Sequence, residues 1–221
     1  MNAPRSVLFV PASNARAMAK APTLACDAVI IDLEDSVPPQ DKVRAREAAC
    51  AALKGGAFDH MVKTIRINGA GSPWYADDVR AAASLGDCTI VLPKIETAED
   101  VRTARTAVLR AGGHNLMWAM IETPMALMGL RNICGVAKDT GLNALIIGPN
   151  DLAAALRLPP ARARSGMAPH LAMMVAAARA WKLGILDGVY NDTTDAAGFE
   201  AEARQGRDLG FDGKTLIHPA Q

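Results

Sequence analysis

The stretch LMWAMIETPMALMGLRNICGVAKDTGLNALIIGPNDL, residues 116–152, decides the fold. Residues 116–121 and 144–147 are short apolar runs without alternation, as expected of strands covered on both faces. Residues 125–137, which lie between them, have helical composition. A strand, a helix and a second strand joined by short loops form a βαβ unit, so this stretch predicts two parallel strands.

The same alternation of strand and helix continues outward in both directions, for eight units in all. The predicted strands are 6–10, 28–33, 62–67, 89–92, 116–121, 144–147, 185–190 and 215–217. The predicted helices are 15–21, 41–53, 75–84, 98–111, 125–137, 152–158, 170–183 and 196–209. Thr97 and Asp100 resemble a capping box at the start of the fourth helix. Eight such units close most economically into a TIM (β/α)8 barrel, with an open doubly wound sheet as the alternative.

The composition is that of an ordinary globular protein. The chain has 221 residues, of which 50% are hydrophobic and 21% charged, and we expect one catalytic domain over residues 1–221. A net charge of +1 without a basic, aromatic-rich cluster argues against a nucleic-acid partner. The four cysteines form no metal-ligand pattern, and no apolar run is long enough to span a membrane. We therefore expect a cytoplasmic protein with reduced thiols.

The sequence ends at Gln221, directly after the eighth predicted strand. We therefore expect the helix that follows strand eight in such a barrel, and any lid beyond it, to be absent from this chain. An uncovered apolar flank would need another subunit to cover it, or a longer natural protein; we expect a homo-oligomer.

Acidic residues follow the fifth and sixth strands, at Glu122 and Asp151. Each alone is typical of a helix cap, but parallel strands gather the residues at their carboxyl ends onto one face of a barrel. Two carboxylates without a His or Cys partner suit a hard cation such as Mg²⁺ or Mn²⁺. Gly148 and Pro149 let the chain turn sharply before Asp151 and approach a ligand closely.

Three acids, Asp32, Glu34 and Asp35, end the second strand, and Arg66 ends the third. With a period of two, Asp32 and Glu34 share one face of the strand. Burying ionised acids costs free energy unless a cation pairs with them, which favours a cationic or metal-linked site nearby. The alternative is a structural cluster of helix caps and salt bridges. An arginine in this setting suits bidentate binding of a substrate carboxylate, or an ion pair with Asp32 or Glu34.

Two further polar residues end strands. Lys94 follows the fourth strand and is more typical of an ion pair than of a Schiff base. His218 follows the eighth, where a buried, hydrogen-bonded histidine is commoner than an acid or base catalyst.

Short motifs recur in a fixed order along nearly the whole chain. They are RSVLFVP (5–11), IDLEDSV (31–37) with Lys42 and Arg46, RIN (66–68) with PW (73–74), LPK (92–94), IET (121–123), DGVY (187–190), GFDGK (210–214) and IHPAQ (217–221). Together they resemble the citrate lyase β-subunit-like family of the HpcH/HpaI aldolase superfamily.

The resemblance implies a trimeric or hexameric TIM barrel that binds Mg²⁺ and cleaves a carbon–carbon bond of a 3-hydroxy-acyl thioester. The metal ligands of the family match Glu122 and Asp151, and its carboxylate-binding arginine matches Arg66. Glu34 and Asp35 match acids near the metal. The products would be a keto acid and an acetyl-thioester, carried by coenzyme A or an acyl-carrier protein.

Two other interpretations remain open. An aldolase acting on a free 2-keto-hydroxy acid is compatible with the residues around Glu122, but that branch normally carries a histidine after strand two, and residues 37–40 are VPPQ. A non-catalytic binding subunit would keep the fold and need not keep a metal site.

Overall fold

The structure is a computed structural model that describes residues 3–221, apart from the side chain of residue 161. Parallel strands β1 to β8 close into a barrel in chain order, and β8 pairs with β1. The strands are β1 Ser6–Pro11, β2 Ala28–Asp32, β3 Val62–Arg66, β4 Thr89–Leu92, β5 Met117–Ile121, β6 Leu142–Ile147, β7 Gly184–Asp187 and β8 Gly213–Leu216. The predicted barrel is confirmed, and the open sheet is wrong.

Helices surround the barrel and pack against their neighbours along the ring. They are α1 Ala15–Lys20, α2 Lys42–Lys54, α3 Tyr75–Ala83, α4 Ala98–Arg110, α5 Pro124–Gly135, α6 Ala137–Thr140, α7 Pro149–Ala155, α8 Ala163–Ala180 and α9 Ala196–Leu209. The capping box of Thr97 and Asp100 is present at the start of α4. Within the described residues, no helix is both long and apolar enough to cross a membrane.

The main error of the sequence prediction concerns α8. The sequence pattern starts this helix at His170, after Pro169, but it begins at Ala163 and runs through the proline. Its buried face, which includes Met167 and Leu171, packs on both sides of the proline. We infer that this packing outweighs the cost of about 3 kcal/mol for a proline inside a helix.

The apolar core has two parts, because strand side chains alternate between the inside and the outside of the barrel. The outer part lies between the strands and the helices. The inner part consists of strand residues alone, among them Ile30, Met120 and Ile146. Two residues further along the same strands, on the same face, come Asp32, Glu122 and Gly148. The inward-facing pattern therefore brings these residues over the carboxyl end of the barrel.

Candidate active site

A cavity of about 410 Å³ opens at the carboxyl ends of the strands. Its wall is partly apolar, with Phe9, Met120 and Ile147, and partly acidic. A larger hollow of about 650 Å³ lies at the amino ends, beside Asp27 and Asp212. Those two carboxylates are hydrogen-bonded to backbone amides of the strands, which indicates a structural role. Since barrels carry their chemistry at the carboxyl end, we assign the site to the smaller cavity.

The pair of Arg66 and Asp32 forms the floor of this cavity. The two residues are in register on β3 and β2, and both side chains are buried. Nε of Arg66 lies 2.7 Å from Oδ1 of Asp32, and Nη2 lies 2.7 Å from Oδ2. Burial alone would raise the pKa of Asp32, but the charge and hydrogen bonds of Arg66 outweigh it and hold this pKa below its usual value. The pair therefore stays ionised.

The third nitrogen of Arg66, Nη1, points away from Asp32. It lies 2.8 Å from Oε2 of Glu34 and 3.6 Å from Oδ2 of Asp35. The contact with Glu34 is an ion pair without hydrogen-bond geometry, and Oε2 is buried without a hydrogen-bond partner. The ring of Phe9 lies 5.1 Å from the guanidinium carbon. One edge of Arg66 is thus fixed by Asp32, while Nη1, at the other edge, contacts Glu34 and donates to Sδ of Met120 at 3.7 Å.

The loop that carries Glu34 is anchored from below by a buried lysine. Nζ of Lys42 donates to the carbonyl oxygens of Leu33 and Glu34, at 2.8 and 2.7 Å, and to Oδ1 of Asn68 at 2.6 Å. The ammonium also lies 5.3 Å from the ring centre of Trp74. Two short hydrogen bonds from one cation fix this backbone, and the third ties the ammonium to Asn68.

Glu122 follows β5 and is only 2% exposed. The backbone N–H of Lys94 donates to its Oε1 at 2.6 Å. Burial, reinforced by the negative charges of Glu34 and Asp151, raises the pKa of Glu122 to about 7, although the Lys94 amide and Arg66 oppose the shift. A nearby cation would stabilise the ionised form of this carboxylate.

Asp151 reaches the same cavity from the first turn of α7. The register of Ile121 with Ile147 places Glu122 beside Gly148. A Cβ added at Gly148 would collide with the Glu122 side chain, so the glycine makes room for this carboxylate.

These residues fit a divalent cation of the magnesium type. Mg²⁺ usually takes one or two protein carboxylates and keeps waters or substrate oxygens as its other ligands. Among the described residues no group of three or more His, Cys, Asp or Glu side chains forms a fuller ligand set. Glu122 and Asp151, which couple electrostatically across the cavity, are the donors that such an ion would use.

The structure brings most of the predicted site residues together. Asp35, Arg66, Glu122, Gly148, Pro149 and Asp151 line the cavity, and Glu34 joins them through Arg66. His218 is exposed and does not line the cavity, so the buried environment expected for it is wrong. The ion pair of Arg66 with Asp32, which the sequence offered as one alternative, is confirmed, and Asp32 lines the cavity although no role in binding or catalysis was predicted for it.

Fold and site together define a (β/α)8 barrel with a buried arginine and an acidic pair at the carboxyl ends of its strands. The family model of the HpcH/HpaI aldolase/citrate lyase family matches residues 5–219. A (3S)-malyl-CoA thioesterase of Cereibacter sphaeroides is 40% identical over 217 residues, which cover 98% of this chain and 74% of the relative. The chain therefore belongs to the HpcH/HpaI aldolase/citrate lyase family.

Two other relatives support the same assignment. The citrate lyase subunit beta of Escherichia coli is 31% identical and covers 98% of this chain, which in turn covers 74% of that protein. The citrate lyase beta subunit of M. tuberculosis, solved with oxaloacetate and magnesium, aligns with a TM-score of 0.82 and 29% identity, over 100% of this chain and 94% of that one.

Proposed function

We propose that this protein is a Mg²⁺-dependent carbon–carbon lyase that acts on a 3-hydroxy-acyl thioester with a carboxylate on C3. The observation that carries the proposal is one cavity lined both by Arg66 and by the acidic pair Glu122 and Asp151. An arginine edge binds a carboxylate, and the acidic pair suits a cation that binds the neighbouring oxygen. The M. tuberculosis relative, solved with a keto acid and magnesium, supports this.

Each residue then has a definite task. Arg66 holds the carboxylate of the keto acid, and Asp32 keeps the guanidinium charged and fixed. Glu122 and Asp151 would hold Mg²⁺, and Mn²⁺ would suit the same oxygen donors. The bound ion would act as a Lewis acid on the oxygen atom of C3. Glu34 and Asp35 would hold water near the ion, and Gly148 and Pro149, which line the cavity, would border the substrate.

In the cleavage, the C2–C3 bond of the substrate breaks and its electron pair goes to C2. The hydroxyl oxygen on C3 loses its proton, and its electron pair forms the C=O bond, so that C3 becomes the carbonyl carbon of the keto acid. The enolate of the acetyl-thioester takes up a proton at C2. The products are a keto acid, such as glyoxylate, pyruvate or oxaloacetate, and an acetyl-thioester.

Hydrolysis of the thioester is the second candidate function, favoured by the 40% identity with a malyl-CoA thioesterase. In this case water attacks the thioester carbonyl and the thiol leaves, so the C2–C3 bond stays intact. The same Arg66 and metal site would hold the hydroxy-acid end of the substrate. Cleavage of a free 2-keto-hydroxy acid and a non-catalytic binding role have less support, because no such observation favours either of them.

The carrier and the assembly are part of the proposal. The relatives that act on malyl-CoA favour coenzyme A, and an acyl-carrier protein is the alternative. A homo-oligomer, trimeric or hexameric, would cover apolar side chains that are exposed near one another, Met125, Met128 and Trp181. Light scattering measures the assembly directly.

A product assay separates the candidate functions. The protein is incubated with Mg²⁺ and malyl-CoA, citramalyl-CoA or citryl-CoA, and the coenzyme A species are separated by chromatography, because its four cysteines would disturb a thiol reagent. A lyase forms acetyl-CoA and an equal amount of keto acid, which phenylhydrazine detects. A thioesterase forms free coenzyme A and hydroxy acid. No turnover of any thioester, with added carrier protein or without, would contradict both functions.

A further inference from the structure

Lys94 has an unusual backbone conformation for its place in the fold. Its φ is 54°, in the left-handed region that costs a residue other than glycine about 1–2 kcal/mol. Two other such residues among those described, Arg157 and Lys182, follow helices. Each of these two, with the next residue, makes the paired hydrogen bonds of a Schellman cap, an ordinary reason for this conformation. Lys94 follows a strand, so it has no such reason.

What the strained backbone achieves is a hydrogen bond to Glu122. The N–H of Lys94 donates to Oε1 of Glu122 at 2.6 Å, and this carboxylate is nearly inaccessible to solvent. On its other side, the carboxylate packs against Gly148, where a Cβ would collide with Oε2. The carboxylate group is therefore held between an amide and a glycine, and its direction depends on both.

The side chain of Lys94 does not explain the conformation. Nζ lies 3.3 Å from Oε1 of Glu34 and 3.9 Å from Oδ1 of Asp35, but the side chain is 52% exposed. Ion pairs at that exposure contribute little to stability, because solvent screens them. The amide, in contrast, makes a short hydrogen bond to a buried charge, which is among the stronger kinds.

We propose that Lys94 is a positioning residue of the metal site, and that it acts through its left-handed backbone. In this conformation the amide points at Glu122 and orients the carboxylate toward the cavity. The inference rests on the proposed function, because it takes Glu122 as a ligand of Mg²⁺. It adds a requirement for Mg²⁺ binding that does not depend on the charge of residue 94: this residue must adopt a positive φ.

Three substitutions separate the backbone from the charge. Lys94→Asn and Lys94→Val both remove the ammonium and have similar volumes, but asparagine accepts the left-handed region and valine does not. Lys94→Gly removes the whole side chain and leaves the conformation accessible. Mg²⁺ affinity of the full chain is measured by titration calorimetry with MgCl₂, and urea unfolding shows whether each variant is folded.

We expect the Asn and Gly variants to bind Mg²⁺ within about twofold of the wild type, and the Val variant to bind about tenfold more weakly. If the wild type binds no Mg²⁺, the proposed metal site fails and the inference fails with it. If the wild type binds Mg²⁺ but the Asn and Val variants have the same Mg²⁺ affinity as each other, whether high or low, the metal site stands and the proposed role of the backbone is wrong. If the Val variant does not fold, weak binding by the Gly variant would overturn the inference, and retained binding would support it.

Discussion

Replacement of Arg66 by lysine tests the carboxylate-binding role most directly. Arg66 uses Nε and Nη2 for Asp32, each at 2.7 Å, and its Nη1, which contacts Glu34 at 2.8 Å, is the nitrogen that Asp32 does not hold. An ammonium keeps the charge but lacks the planar fork, so it cannot hold Asp32 at two points and a ligand at a third. The substrate carboxylate then loses a charge-assisted hydrogen bond, worth about 1.5–3 kcal/mol. The dissociation constant should rise by about 10- to 150-fold.

Calorimetric titration with pyruvate and with oxaloacetate, in the presence of Mg²⁺, measures this loss. A matched control is Arg164→Lys, because Arg164 also binds a buried carboxylate at two points, Asp187, at 2.7 and 2.9 Å. Arg164 does not line the cavity. Both substitutions should lower the free energy of unfolding, but only Arg66→Lys should weaken keto-acid binding.

Two results would refute the reasoning. Unchanged affinity of the Arg66→Lys protein for both keto acids would leave Arg66 as a structural partner of Asp32. An equal loss of affinity in the Arg164→Lys protein would show that general loosening of the barrel is responsible.

Three further predictions concern neighbouring residues. Glu122→Gln and Asp151→Asn should each abolish Mg²⁺ binding in calorimetry, because each removes an anionic ligand. Each keeps the side-chain volume, so the circular dichroism spectrum should not change. Unchanged Mg²⁺ affinity would place the ion elsewhere. Gly148→Ala should weaken Mg²⁺ binding by about tenfold, since its Cβ displaces Glu122, whereas Gly69→Ala, where a Cβ meets nothing within 4 Å, should not. Asp32→Asn should lower the free energy of unfolding by about 3–5 kcal/mol at pH 7. The folded state lowers the pKa of Asp32, so the stability that its ionised carboxylate contributes is fully present above the unfolded pKa of about 3.9. This contribution is lost as the pH falls through the folded pKa. Urea unfolding of the wild type and the variant over the acid range measures the loss.

The barrel could be predicted from the sequence because its signals are local. All five residues of β2 are buried, as the continuous apolar run indicated. Thr123 caps α5 and Pro124 is its first residue, so strand five had to end before Thr123. The start of α8 was predicted wrongly because only part of its energetics is local. The sequence shows the local cost of Pro169, but the compensating contacts of α8 are distant in the chain.

The site was predicted less completely, because it depends on the register between strands. A period of two places Asp32 and Glu34 on one face, but it does not say which of them lies opposite Arg66. The register of β2 with β3 settles this in favour of Asp32. Similarly, no sequence pattern shows that Lys94 takes a positive φ or that its amide reaches Glu122.

The charges around the cavity suggest an order of binding. Four acids and one cation line it, so the lining carries an excess of three negative charges when all are ionised; the acids are Asp32, Asp35, Glu122 and Asp151, and the cation is Arg66. Because Asp32 already neutralises Arg66, a keto acid that enters alone meets a repulsive field. A divalent cation would reverse most of this repulsion beside the acidic pair. We therefore expect pyruvate to bind measurably with Mg²⁺ present and hardly at all with a chelator, and equal affinities in the two calorimetric titrations would contradict a site built around the ion.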